Sequence, residues 1–331
     1  MRVGLLGAGR IGAFHAGVLA EHEDVDTLMI GDVDAERAAA VAEEVGGQPG
    51  TIEEVVGLGL DAAVIAAATP AHAELINVCL DKGLPTFCEK PVALDYEETV
   101  AIVDRIESSG TVLQIGFQRR FDAGYREARR LIETGGLGTL YSIRLATHDP
   151  EPPPEDYIPQ SGGIFRDLHI HDFDALRWLA GSEAEEVYAQ GSAREFEVFG
   201  KYGDFDATAA MIRMIDGVLA VMTGARQDPL GYDVRTEVFG SGDSISVGLD
   251  QRMPLRSVEP GVPPPEGPAY PGFLIRFEQA YRDELGHFLG LVQGRGENPC
   301  TARDSLEALR IAIAAEVSVA ERRPVQLKEI E

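Results

Sequence analysis

The 331-residue chain is poor in positive charge, and lysine is scarce. Its 29 basic residues stand against 55 acidic residues, which gives a net charge of -26 at pH 7. A surface of this sign repels phosphate backbones and anionic lipid headgroups. We therefore expect neither a nucleic acid nor a membrane among the partners of this protein.

Cysteine and long apolar runs are also scarce. Cys79, Cys88 and Cys300 are odd in number and form no C-x-x-C pair, which favours a reducing compartment and no metal cluster. No stretch approaches the roughly 20 apolar residues that span a bilayer. The N-terminal residues do not show the pattern of a signal peptide, which is a charged start followed by an apolar stretch. We expect a cytoplasmic globular protein without a bound metal.

The length and the order of the patterns predict two domains, 1–120 and 121–331. In the first, short apolar strands alternate with amphipathic helices, as at "RVGLLG" (2–7) and "DAAVIAAATP" (61–70). Such alternation predicts a parallel sheet with helices on both faces.

The pattern changes after residue 120. A helix is predicted over 162–181, followed by alternating strands over 186–249 that indicate an antiparallel meander. Helices are predicted over 273–293 and 303–322. The second domain is therefore expected to contain an open, mainly antiparallel sheet.

Gly7, Gly9 and Gly12 form G-x-G-x-x-G between the first strand and the first helix. The spacing suits a tight turn that brings backbone N–H groups at a helix start to a pyrophosphate. Asp32 follows the second strand, where a carboxylate accepts hydrogen bonds from both ribose hydroxyls. Because no arginine adjoins Asp32, and Arg37 is five residues further on, the pattern favours NAD over NADP. A glycine-rich turn without a ligand is the alternative.

Two further patterns carry candidate chemistry. Lys90 in "CEKP" follows a parallel strand, at the sheet edge where ligands bind, although an exposed lysine is ordinarily a solvated charge. Asp167 and His171 are four residues apart in a predicted helix and would share one face. A carboxylate beside an imidazole can fix its tautomer for proton transfer, although such pairs are more often ordinary ion pairs. His169 and His171 diverge on a helix, which argues against a metal site.

The ordered set "GAGRIG … GD … ATPAH … EKP … GFQRRFD … SGGIFRDLHIHDFDALRWLAG" resembles the Gfo/Idh/MocA oxidoreductase family. The blocks at 149–174, 231–241 and 277–285 are most similar to inositol 2-dehydrogenases. The resemblance implies an α/β plus α+β chain, with an N-terminal Rossmann parallel sheet and a C-terminal domain for substrate binding and oligomerisation. It implies a homo-oligomer, a tetramer or a dimer.

The resemblance also implies site residues. It makes Lys90, Asp167 and His171 catalytic, with His171 as the base. It places residues around NAD, namely Gly7, Gly9, Arg10, Ile11, Gly12, Asp32, Thr69, His72, Glu89, Lys90 and Gln118. It places Asp149, Tyr232 and Tyr281 at the substrate, although both tyrosines could equally be core aromatics, and His72 could equally cap or pack.

The implied activity is the oxidation of a secondary hydroxyl of a cyclic polyol, with myo-inositol and its 2-keto product as the leading pair. His148 and Gln160 depart from the residues usual in the similar blocks, so the identity of the polyol is open. An enzyme for another inositol isomer, an aldose or another sugar is the nearest alternative. An NAD-dependent hydrolase and a non-catalytic NAD-binding sensor are more distant ones.

Overall fold

The computed structural model describes residues 1–330, and the chain divides into two compact units. The first unit comprises Met1–Phe121 and Gln279–Leu306, and the second comprises Asp122–Glu278 and the chain from Glu307 onward. The predicted boundary at 120/121 assigns residues 279–306 to the second domain. In the structure this segment lies with the first unit.

A six-stranded parallel sheet forms the centre of the first unit, which confirms the expected Rossmann architecture. The strand order is β3-β2-β1-β4-β5-β6, and each neighbouring pair runs parallel. The strands are β1 (Arg2–Leu6), β2 (Thr27–Gly31), β3 (Gln48–Gly50), β4 (Ala62–Ile65), β5 (Thr86–Glu89) and β6 (Leu113–Gly116).

Side-chain caps set the starts of several helices in this unit. Asp34, Thr51 and Asp95 each accept hydrogen bonds from first-turn N–H groups, and Gly46 and Gly110 end two helices in the left-handed conformation. The helices are α1 (Arg10–Glu21), α2 (Ala35–Val45), α3 (Ile52–Gly57), α4 (His72–Asp81) and α5 (Tyr96–Ser109).

The second unit contains a seven-stranded mixed sheet in the order β12-β11-β7-β10-β9-β8-β13. The strands are β7 (Leu140–His148), β8 (Ala184–Ser192), β9 (Ala207–Met214), β10 (Leu219–Ala225), β11 (Asp233–Gly240), β12 (Ser244–Val247) and β13 (Val325–Gln326). The predicted simple meander is wrong in one respect: β7 lies between β10 and β11 and runs parallel to β10. The other pairs are antiparallel, so the expected mainly antiparallel sheet is confirmed.

The remaining helices are α6 (Ala123–Glu133), α7 (Ile164–Asp167), α8 (Ile170–Ala180), α9 (Glu197–Lys201), α10 (Phe273–Arg276), α11 (Glu278–Val292) and α12 (Ala302–Glu321). The single helix expected over 162–181 is wrong, because the chain breaks between α7 and α8. There the His169 N–H bonds the Ile164 carbonyl, five residues back, which widens the turn. The helix expected over 273–293 also breaks, at Phe277.

The core of the first unit explains why α11 belongs to it. Leu285, Phe288 and Leu289 of α11 are fully buried in the same apolar cluster as Leu5 of β1 and Phe87 of β5. Removing these large side chains from water supplies most of the free energy that holds α11 on the sheet. Among residues 1–330, no helix is long and apolar enough to cross a membrane.

Candidate active site

The glycine turn after β1 has the form that the sequence predicted. Gly7 has a φ of +105°, which disfavours residues with a side chain, and a Cβ at Gly12 would lie 2.0 Å from the Gly7 carbonyl oxygen. Gly9 precedes α1 without a side-chain cap, and a Cβ there would meet no atom within 4 Å. The first-turn N–H groups, starting at Arg10 and Ile11, suit an anion such as a pyrophosphate.

Asp32 lies beside this turn, buried at the end of β2. Its Oδ2 accepts a 2.6 Å hydrogen bond from the Ala8 N–H, and its Oδ1 accepts one of 2.8 Å from the Asp34 N–H. Each carboxylate oxygen retains a second lone pair, so the group can still accept hydroxyl protons. Arg37 bonds to Asp34 at 3.1 Å. The turn and the carboxylate fit the NAD that the sequence implied.

The loops after β4 and β5 meet through His72. Its Nδ1 lies 2.7 Å from the Pro91 carbonyl oxygen and its Nε2 lies 3.0 Å from that of Ala67. Burial lowers the pKa of His72, so the neutral ring donates to one of the two carbonyls at a time. The half-buried Lys90 precedes Pro91 directly. His72 therefore braces the segment that follows Lys90.

Two other predicted cofactor residues lie after strands of the same sheet. Thr69 begins the short 3-10 helix that follows β4. Gln118 follows β6 and is buried, and its Oε1 has no hydrogen-bond partner among residues 1–330. A buried acceptor without a partner is costly, so Gln118 is suited to receiving a donor from a ligand.

Glu89, the last residue of β5, is paired inside the unit. Its Oε1 lies 2.7 Å from Nε2 of His15, which is fully buried in α1. The fully buried Glu284 of α11 is close to both, with ligating atoms of the three side chains within 4.8 Å of one another. This cluster was not anticipated from the sequence.

In the second unit, Asp167 is the centre of a polar network. Arg226 Nη1 donates to Asp167 Oδ2 at 2.9 Å and to Asp149 Oδ2 at 3.5 Å. The Tyr157 hydroxyl donates to Asp167 Oδ1 at 3.0 Å. The structure thus joins the predicted Asp149 and Asp167 through one guanidinium.

Arg226 is almost completely buried, with 3% of its side chain exposed. Burial alone would lower its pKa, but Asp167, Asp149 and Asp204 outweigh that effect and raise the pKa of the guanidinium. The group is therefore a permanent buried cation among carboxylates. The sequence does not indicate this role, because Arg226 is a single residue after an apolar strand and belongs to no motif.

His171 lies half-buried in the first turn of α8, after the break that follows Asp167. The neighbouring His169 has a packing role, since its Nδ1 and Nε2 lie 2.7 Å from Asp172 Oδ2 and Thr208 Oγ1. Buried side chains thus hold the start of α8, and with it the backbone that carries His171.

The two tyrosines predicted at the substrate lie in different units. Tyr232 is buried in the second unit, with its ring 6.5 Å from that of Phe277 in an edge arrangement. Tyr281 is buried in the first unit, and its ring meets Phe14 at 5.5 Å and His15 at 5.8 Å. Both rings pack as core aromatics.

His148, one of the two departures noted in the sequence, ends β7 next to Asp149. Its Nδ1 lies 3.8 Å from Asp228 Oδ2 and 3.7 Å from Asp233 Oδ2. Gln160, the other departure, donates to the Asp156 carbonyl oxygen. The imidazole of His148 is thus within 4 Å of two carboxylates, those of Asp228 and Asp233.

Comparison with known proteins decides the family. Residues 1–117 match the "Oxidoreductase family, NAD-binding Rossmann fold", and residues 125–246 match the "GFO/IDH/MocA C-terminal domain". The chain belongs to the Gfo/Idh/MocA oxidoreductase family. The predicted family and its NAD cofactor are therefore confirmed, and the protein is an NAD-dependent dehydrogenase similar to inositol 2-dehydrogenases.

Three relatives illustrate the likeness. Myo-inositol dehydrogenase Hyg17 of Streptomyces leeuwenhoekii is 40% identical, with 96% of this chain and 97% of the relative covered. A myo-inositol dehydrogenase from Corynebacterium glutamicum has a TM-score of 0.90 at 32% identity, covering 99% and 98%. A scyllo-inositol dehydrogenase from Lactobacillus casei with bound NAD(H) and scyllo-inositol has a TM-score of 0.89 at 27% identity, covering 99% of each chain.

Proposed function

We propose that this protein oxidises a secondary hydroxyl of a cyclic polyol, with myo-inositol converted to 2-keto-inositol as the principal reaction. The observation that carries the proposal is the partly buried network in which the buried Arg226 holds Asp149 and Asp167, which offers fixed carboxylates to a polyhydroxylated ligand. The likeness to myo-inositol dehydrogenases over nearly the whole chain supports the same substrate class.

NAD, when bound, supplies the hydride acceptor. We assign its pyrophosphate to the N–H groups at the start of α1, between Gly9 and Gly12, and its adenine ribose to Asp32. We assign the remainder of the cofactor contacts to residues at the carboxyl edge of the sheet, namely Thr69, His72, Glu89, Lys90 and Gln118. The carboxyl ends of β1, β2, β4, β5 and β6 carry these residues, as ligand sites in parallel sheets require.

Three side chains act on the reacting hydroxyl group of the substrate. His171 accepts the proton of the reacting hydroxyl, and Asp167 orients His171 and steadies its cationic form. Lys90 donates to the same oxygen and stabilises the negative charge that develops as the proton leaves. Hydrogen bonds from Arg226 and Tyr157 hold the Asp167 carboxylate in place. This fixed position supports the role of Asp167 in orienting His171.

The two units divide the work in this proposal. The N-terminal domain, 1–120, binds NAD, and the C-terminal domain, 121–331, binds the polyol through Asp149 and Tyr232 and forms the homo-oligomer. Tyr281 contacts the polyol through its hydroxyl although its ring packs in the core. The solvent face of the second sheet supports the assembly, because Met211, Leu219 and Val221 are exposed there beside one another on β9 and β10.

A scyllo-inositol or sugar substrate is the alternative, favoured by the L. casei relative with scyllo-inositol and by His148 beside Asp149. The test is the rate of NADH formation with a panel of myo-inositol, scyllo-inositol, D-glucose and D-xylose. The proposal predicts the highest kcat/KM with myo-inositol. A higher value with another compound would assign that compound instead, and no NADH with any of them would reject polyol oxidation.

A further inference from the structure

In the buried cluster of His15, Glu89 and Glu284, only Glu89 has been assigned a role so far, as a cofactor contact. His15 and Glu284 are fully buried and Glu89 is 9% exposed. His15 Nε2 and Glu89 Oε1 are 2.7 Å apart, and a Glu284 oxygen lies within 4.8 Å of both atoms. All three residues belong to the first unit, on α1, β5 and α11.

Glu284 cannot remain an ordinary carboxylate in this place. Neither of its oxygens has a hydrogen-bond partner among residues 1–330, and the charged side chain facing it is another acid, Glu89. An isolated buried anion is expensive, so such a group takes up a proton instead. Burial and then the charge of Glu89 raise the pKa of Glu284 well above its ordinary value of 4.5. A protonated Glu284 has one O–H to donate.

His15 completes the arrangement around Glu89. Its Nδ1 is buried without a hydrogen-bond partner, so the ring carries its proton on Nε2 and donates to Glu89. The rings of Phe87 and Tyr281 lie edge-on to His15 at 5.7 Å and 5.8 Å and fix its plane. Glu89 thus has the His15 donor on one side, and a Glu284 oxygen lies within 4.8 Å on the other.

Gly116 of β6 closes the remaining side. A Cβ on this glycine would lie 3.0 Å from Glu89 Oε2, closer than nearly all real contacts. The carboxylate of Glu89 is therefore confined by α1, α11 and β6 together. Because Glu89 immediately precedes Lys90, this confinement sets the direction in which the chain leaves β5.

We propose that His15 and Glu284, the latter as a neutral carboxylic acid, are positioning residues that clamp Glu89 and thereby fix Lys90. The proposal rests on the role assigned above to Lys90. The Glu284 hydrogen reaches Glu89 directly after a small side-chain rotation or through one bridging water. Ionisation of Glu284 as the pH rises would place two carboxylates against each other and open the clamp.

Other titratable groups lie near this cluster. They are Cys88 and Lys90 on either side of Glu89, His72 of α4, and Tyr281 of α11. Substituting Glu284 alone separates its contribution from theirs, because each of these groups is retained in the variant.

The first readout is stability and needs no substrate. In the unfolded chain Glu284 ionises near pH 4.5, whereas the folded chain keeps the proton to a much higher pH. The unfolded state therefore binds fewer protons in that interval, and the wild-type stability falls as pH rises. Glu284→Gln cannot ionise, so its denaturation midpoint relative to wild type should climb between pH 5 and pH 9. Asp283→Asn is the control. It removes an acid from the same helix, but this acid accepts a hydrogen bond from Gln279 and lies outside the cluster.

The second readout is kcat for myo-inositol with saturating NAD across the same pH range. Glu284→Leu should lower kcat on the order of ten- to a hundredfold, because Lys90 is misplaced. Glu284→Gln should restore most of the kcat that Glu284→Leu loses. Its kcat should also lack the part of the decline with rising pH that ionisation of Glu284 causes in the wild type. If Glu284→Leu fails to fold, the Gln variant carries the test through its pH profile.

Three results would overturn the clamp. One is a pH dependence of stability that Glu284→Gln leaves unchanged, and another is an unchanged pH profile of kcat. The third is a stoichiometric divalent ion in the wild type that Glu284→Gln lacks, which would make the cluster a metal site. Failure of the proposed function is distinguishable, because Lys90→Met would then keep full activity while the stability difference of Glu284→Gln persisted.

Discussion

The buried Arg226 donates a 2.9 Å hydrogen bond to the partly buried Asp167, 59 residues away in the sequence. The same guanidinium reaches Asp149 at 3.5 Å. A buried charge of one sign is tolerated where the opposite sign surrounds it, and here the carboxylates supply that compensation. The proposed acid that orients His171 is thus held by a cation that no sequence motif indicates.

Arg226→Met should damage catalysis more than cofactor binding. Without the guanidinium, Asp167 and Asp149 repel each other, and kcat should fall on the order of a hundredfold. The dissociation constant of NAD, measured by fluorescence quenching, should change little because Asp32 and the glycine turn are untouched. Leaving the carboxylates uncompensated should also cost about 3–5 kcal/mol of the free energy of unfolding.

Arg226→Lys is the matched variant, because it keeps the positive charge and loses the planar guanidinium that reaches both carboxylates. Its free energy of unfolding should lie between those of wild type and Arg226→Met. A Met variant with wild-type kcat would contradict the positioning of Asp167 by Arg226.

Substitution of the proposed proton acceptor separates chemistry from binding. His171→Ala should lower turnover about 100- to 10,000-fold, because no group then takes the hydroxyl proton, while NAD still binds. His169→Gln tests the support of the segment rather than the base itself. It alters the bonds to Asp172 and Thr208 that hold the start of α8, so it should lower turnover less than His171→Ala does. Full turnover by His171→Ala would show that the proton leaves by another route.

Asp32 should determine the preference between the two nicotinamide cofactors. Loss of hydrogen bonds to a charged acceptor is worth about 1.5–3 kcal/mol, so Asp32→Ala should raise the KM for NAD about tenfold or more. The variant should also accept NADP better, because the carboxylate no longer repels a 2′-phosphate. The measurement is the ratio of kcat/KM for NAD and NADP, and tight NADP binding by the unmodified protein would reject this role.

The exposed face of the second sheet should mediate assembly. Met211 and Val221 are paired directly across β9 and β10, and 53% and 47% of their surfaces are exposed. Met211→Asp and Val221→Asp should convert the oligomer to smaller species by light scattering after size-exclusion chromatography. Leu58→Asp, at an exposed position of the first unit, should leave the mass unchanged. A monomeric wild type would contradict the proposed assembly.

Much of the fold could be predicted because its signals are local. Glycine spacing gave the turn at Gly7–Gly12, and the alternation of apolar strands with helices gave the parallel sheet. The short β3, Gln48–Gly50, escaped because two of its three residues are glycine and proline, which disfavour strands. The insertion of β7 beside β10 escaped because periodicity identifies a strand and its buried face but does not identify its neighbours.

The site residues likewise fall into two groups, those that local sequence motifs indicate and those that only tertiary contacts reveal. Lys90, Asp32 and His171 lie in motifs, and their positions follow from the strand or helix that carries them. The roles proposed for three other residues, Arg226, His15 and Glu284, depend on neighbours that are 59 to 195 residues away in the sequence. Glu284, for example, lies 195 residues from Glu89. Such pairings depend on tertiary packing, and a lone buried arginine or glutamate in a sequence gives no sign of what it faces.

The central claim is that hydride leaves a ring carbon of an inositol for NAD. The most direct test uses myo-inositol carrying deuterium at C2, with NAD and the wild-type protein, and analyses the products by mass spectrometry. We expect one deuterium in the reduced cofactor, none in the ketone at that carbon, and a primary isotope effect where hydride transfer limits the rate. NADH formed without deuterium would place the oxidation at another carbon, and no reduction of NAD would contradict the account.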